Sequence, residues 1–69
     1  MPKLFSSNHI VKVLQKKGLI FVSQRGSHIK MRNLGVGIRT VIVPANKKEI
    51  PRGTFRSILR QSGLRVEDF

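Results

Sequence analysis

Between Gly18 and Pro44 the chain holds three short β-prone runs with only turn-length gaps between them. Leu19-Ile20-Phe21-Val22 is the first, His28-Ile29-Lys30-Met31-Arg32 the second, and Ile38 to Val43 the third. Parallel neighbours require a crossover of a dozen or more residues, so these runs can pair only as an antiparallel meander. Gly26-Ser27 supplies one turn and Asn33-Leu34-Gly35-Val36-Gly37 the other. Pro44 ends the third run because it cannot donate a ladder hydrogen bond. The second run alternates strictly, which sends Ile29 and Met31 to one face and His28, Lys30 and Arg32 to the other.

Helical patterns flank the meander. Ser6, Ser7 and Asn8 offer capping oxygens, and Ile10, Val11 and Leu14 follow at helical spacing. A helix over 8–17 is predicted, stopped by Gly18. After a polar, basic stretch from Ala45 to Ile50, Pro51 fits a first helical turn. Phe55, Ile58 and Leu59 then form an apolar stripe, with Arg52, Arg56 and Arg60 on a neighbouring arc before Gly63 closes the helix. Leu64, Val66 and Phe69 make a short tail that can fold back. The expected fold is α+β, ordered α-β-β-β-α, with a three-stranded antiparallel sheet and two helices burying Leu14, Phe55 and Leu59 on one face.

Residues 1–69 are expected to form a single domain, with the modest stability of a short chain. Without cysteine it can have neither a disulfide nor a thiolate zinc site. Two separated histidines and three late acids show no metal-ligand spacing, so no metal and no cofactor are expected. No apolar run approaches the roughly 20 residues that span a bilayer. The opening Met-Pro-Lys-Leu-Phe-Ser-Ser lacks the hydrophobic region of an export signal, which gives the expectation of a cytoplasmic protein.

Fourteen Lys and Arg against three acids give a net charge of +11, and Glu49 is the first acid of the chain. Such an excess attracts polyanions. Nucleic acid leads, ahead of anionic membrane or an acidic protein partner, although the same charge balance would suit a ribosomal protein.

Within this field His28 is the candidate for chemistry. It lies on the non-apolar side of an alternating strand, beside Gly26, where a substrate backbone can approach closely. An imidazole titrates near neutrality and suits proton transfer to or from a ribose hydroxyl or a leaving oxygen. Arg25, Lys30 and Arg32 are the nearby charge-stabilising groups. Ser27 reads as a turn residue that, with Gly26, belongs to the RNA-binding surface; it is no nucleophile, because the only Asp is Asp68 in the tail and no Ser-His-Asp set exists. His9 reads as a surface residue, and Gly35-x-Gly37 is too short for a phosphate-binding fingerprint. RNA carries its own nucleophile, the 2′-hydroxyl, so one histidine and cations could cleave it without a tightly held metal. Lys47, Lys48, Arg52, Arg56 and Arg60 read as phosphate contacts that position a strand without reading bases. At least two of Phe5, Phe21, Phe55 and Phe69 should be buried, which leaves little aromatic surface for base recognition.

Lys-Lys-Gly-Leu closing the first helix, Gln24-Arg25-Gly26-Ser27-His28, Val41-Ile42-Val43-Pro44 and the block from Gly53 to Gly63 together resemble the HicA toxins, the YcfA-like mRNA interferases. The resemblance spans nearly the whole chain. It implies a double-stranded-RNA-binding-like fold, ribosome-independent cleavage of mRNA, growth arrest and restraint by a HicB-type antitoxin. It also places the family's essential histidine on His28. Two departures stand out: Ala45-Asn46 occupies the place where many relatives carry a second histidine, and the Asn33 to Gly37 turn lacks their acidic residue. The rival readings are a non-catalytic RNA-binding module on the same basic face and a basic subunit whose sole partner is an acidic protein.

Overall fold

The computed structural model describes residues 4–33, 35 and 37–69. Helix α1 covers Ser7–Lys16, strands β1, β2 and β3 cover Leu19–Arg25, His28–Asn33 and Thr40–Pro44, and helix α2 covers Arg52–Ser62. A single 3₁₀ turn follows at Val66–Asp68. The strands pair antiparallel in the order β1-β2-β3. This is the α-β-β-β-α order expected of the sequence. Leu34 and Val36, in the second turn, lie outside the described residues.

Helix α1 begins one residue earlier than its periodicity predicts, because Ser6 is the cap and its hydroxyl accepts from His9 N–H at 3.1 Å. Ser7 is thereby drawn into the first turn and buried, at 2% exposure. Its Oγ donates to the Pro44 carbonyl at 2.6 Å and accepts from Lys47 N–H at 2.9 Å, while its own N–H donates to the Lys47 carbonyl at 2.9 Å. One small side chain thus ties the start of α1 to the chain leaving β3. At α2, Pro51 stands just before the helix instead of inside its first turn. The helix ends at Gly63, which adopts a left-handed φ of 74° and donates its N–H to Leu59 O.

Ile10 and Leu14 of α1, Met31, Val41 and Val43 of the sheet, and Phe55 and Ile58 of α2 form the core with Leu19 and Ile50. Leu59 is only partly buried, at the edge of that cluster. Helix α1 packs on β1 and β3, and α2 on β3. Both therefore cover the face carrying Met31, Val41 and Val43. Among the described residues no helix lies over the opposite face.

Two strand boundaries differ from expectation. β3 starts at Thr40 rather than Ile38, because Asn33 closes the preceding turn: its side-chain Oδ1 accepts from Arg39 N–H and its Nδ2 donates to Gly37 O. Ile38 is left outside the ladder and exposed. β1 continues three residues past Val22, to Arg25, with a bulge between Phe21 and Ser23.

Candidate functional site on the open sheet face

The bulge decides what stands beside His28. Phe21 lies opposite Met31, so an unbroken ladder would put Val22 opposite Lys30 and Gln24 opposite His28. The extra residue instead places Ser23 opposite Lys30 and Arg25 opposite His28. Residues opposite one another in an antiparallel pair share a face, so the bulge brings Ser23 and Arg25 onto the bare side with His28 and Lys30. It also leaves a two-residue hairpin, Gly26-Ser27. Gly26 takes a φ of 55°, the positive value that a type II′ turn needs at its first central position.

Ser23, Arg25, His28, Lys30 and Ile42 line an open depression on this face. His28 sits at the end of β2, exposed, across from Arg25 on one side and Pro44 on the other. Lys30 is one step along the same strand face, about 7 Å away at strand spacing, flanked by Ser23 and Ile42. Two cations, one imidazole and one hydroxyl therefore converge over an apolar wall. None of the three acids lines the depression, and the sole ion pair among the described residues is Lys17 with Asp68, remote from it. The charged side chains lining the depression with His28 are therefore all cationic.

Gly26 and Ser27 form the turn beside His28 and do not line the depression. The Ser27 carbonyl accepts from Ala45 N–H at 2.6 Å, which pins the loop after β3 to the hairpin. Arg32 shares the face of His28 but lies roughly 13 Å along the strand at that spacing, where its Nε donates to Thr40 Oγ1 at 3.4 Å. Lys47 and Lys48 border a separate shallow cleft with Ser6, Ser7 and Asn8 at the start of α1. Arg52 and Arg56 line a groove with Phe55, Leu59 and Val66, and Arg60 donates to Ser57 Oγ. Because α2 turns Phe55 and Ile58 onto the sheet's covered face, its arginine row belongs to the helical layer, away from His28.

Ser23 and Ile42 were missed by sequence reasoning. Ile42 could have been found from its alternation with Val41 and Val43, whereas Ser23 depends on the bulge, which leaves no periodic signal. His9 is exposed, as expected, and its ring stacks on Phe5, with centroids 4.8 Å apart, while its Nε2 lies 2.7 Å from Phe69 O. Phe5, Phe55 and Phe69 cluster around it, so the tail folds back as expected and Phe21 is the aromatic ring left exposed. Among the described residues no three His, Cys, Asp or Glu side chains gather into a metal-binding group.

The fold and site define a small α+β protein with a bare, cationic, histidine-bearing sheet face. The family model described as the HicA toxin of bacterial toxin-antitoxin systems matches residues 7–64. The chain belongs to the HicA toxin family, and that membership implies an antitoxin as partner. None of the curated proteins matches it. Among the described residues no helix is long and apolar enough to cross a membrane.

Proposed function

We propose that this chain, as a single interferase domain in the cytoplasm, is an endoribonuclease that cleaves mRNA without a metal, arrests translation and growth, and is neutralised by a HicB-type antitoxin. The observation that carries the reading is the bulge-set pairing of Arg25 with His28, with Lys30 on the same exposed face. A substrate strand laid across the depression would bring a phosphate between the two cations and within reach of the imidazole.

The chemistry then follows from RNA itself. The 2′-oxygen bonds to phosphorus as the P–O5′ bond breaks, giving a 2′,3′-cyclic phosphate and a 5′-hydroxyl. One proton leaves the 2′-hydroxyl and one reaches the departing 5′-oxygen; His28 carries one of these transfers and solvent the other. Arg25 and Lys30 stabilise charge on the phosphoryl oxygens, an effect strengthened by donors already in place. Ser23 can donate to a phosphate or ribose oxygen, and Ile42 offers an apolar wall to the sugar or base. Arg32, Lys47, Lys48, Arg52, Arg56 and Arg60 act, in this reading, as outlying phosphate contacts that extend the footprint.

Purified wild type and His28→Ala, each incubated with RNA in the presence of a chelator, test the reading. Cleavage by the variant should fall by about 10²–10⁴-fold, the usual contribution of a general acid or base, with RNA affinity held within a few fold. Fragments ending in a plain 3′-hydroxyl, or equal cleavage by the variant, would overturn it. Binding without any cleavage by wild type would favour the non-catalytic module.

A further inference from the structure

The two edges of the sheet are treated differently. Along β3, Ile42 donates its N–H to Gln61 Oε1 of α2 at 3.0 Å, Pro44 has no N–H, and the Pro44 carbonyl is taken by Ser7 Oγ. That edge is closed by α2 and α1. Along β1, no backbone group from Ile20 to Arg25 has a partner outside β2 among the described residues. The same strand exposes three consecutive large apolar side chains, Ile20 at 46%, Phe21 at 52% and Val22 at 41%. An unpaired, apolar edge of this length is a template for another strand.

We infer that the free edge of β1 is where the antitoxin docks, by adding an extended segment as a fourth strand beside Ile20-Phe21-Val22. Such strand addition takes its affinity from main-chain hydrogen bonds and its selectivity from alternate side chains. A second copy of this chain is the wrong occupant, because two molecules of charge +11 repel one another. The ends of the edge specify the right one: Lys16, in the last turn of α1, precedes β1 and Arg25 closes it. The segment that fits has β-branched or aromatic residues at its centre and acidic residues at both ends. Docked there, it lies alongside Ser23 and Arg25, so a short continuation reaches the depression around His28. The inference rests on the antitoxin half of the proposed function and is independent of its nuclease half.

The double variant Phe21→Lys/Val22→Lys tests it, since lysines on an edge strand block strand addition even though they add two positive charges. Neither residue lines the depression, and the added charge should leave RNA affinity at or above that of wild type. Affinity for the co-produced antitoxin, measured by calorimetry, should fall by about thirtyfold or more, as on loss of an interface hot spot. In the wild-type complex, amides between Ile20 and Ser23 should gain hydrogen-exchange protection. Should the double variant fail to fold, Phe21→Ser and the exchange experiment carry the test. Unchanged antitoxin affinity or unprotected β1 amides would overturn the inference, as would a β1-dependent dimer of the toxin alone by sedimentation. If wild type never cuts RNA yet β1 becomes protected, the nuclease reading falls and the docking edge stands.

Discussion

Ser7→Ala should cost this protein more stability than any other single-oxygen deletion in the chain. The hydroxyl bridges the Pro44 carbonyl and the Lys47 N–H from a position that water does not reach. Alanine fills almost the same space, so the loss is purely one of hydrogen bonding. The Lys47 N–H belongs to an exposed residue and can turn to solvent, whereas Pro44 is half-buried and its carbonyl is left poorly satisfied. One stranded and one partly rescued group amount to about 2 kcal/mol. For a domain of this size each kcal/mol moves the melting temperature by about 4–8 °C, so a fall of roughly 12 °C is expected by circular dichroism. Ser6→Ala, which removes only the exposed cap to His9 N–H, should cost about 1 kcal/mol and half that shift. If Ser7→Ala melts within about 2 °C of wild type, or no lower than Ser6→Ala, Ser7 is not the clamp described here.

Met31 of β2 lies fully buried in the core, and Met31→Ala should cost about 2–5 kcal/mol, enough to leave much of so small a protein unfolded in a denaturant titration. Binding to single-stranded RNA should weaken with salt, and Arg25→Ala should lower the log–log slope by about 0.7, the value of one phosphate contact; an unchanged slope would exclude Arg25 from the footprint. Asp68 is held below the ordinary carboxylate value of 3.8 chiefly by the Arg65 N–H; desolvation opposes this, and the bond to Lys17 adds to the lowering. A depressed folded pKa contributes stability that is present above the ordinary value and lost as pH falls through the lowered one. The Asp68 contribution to stability should therefore persist through neutral pH and be lost only in strong acid, and the acid-side fall in melting temperature should be smaller in Asp68→Asn than in wild type.

Much of the architecture was legible because its causes are local. Capping serines, a glycine at each helix end and the alternation of His28 to Arg32 act over a few residues. Three short strands without room for crossovers admit one topology. The same alternation correctly put His28 and Lys30 on a face without core residues. Helix periodicity likewise separated Phe55 and Ile58 from the arginine row of α2, but it could not tell which way that row would point relative to His28. That depended on both helices choosing the same side of the sheet.

Residue order along the chain settles which side chains alternate, where helices stop and how strongly the whole molecule draws anions, since each follows from neighbours and composition. It does not settle the pairing of Arg25 with His28, the burial of Ser7, or the contrast between a β3 edge stoppered by Gln61 and a β1 edge left bare. Those arise from register and from contacts between segments far apart in the chain. A single inserted residue at the bulge reverses the facing of everything after it, and no periodic pattern announces where such an insertion will be accommodated.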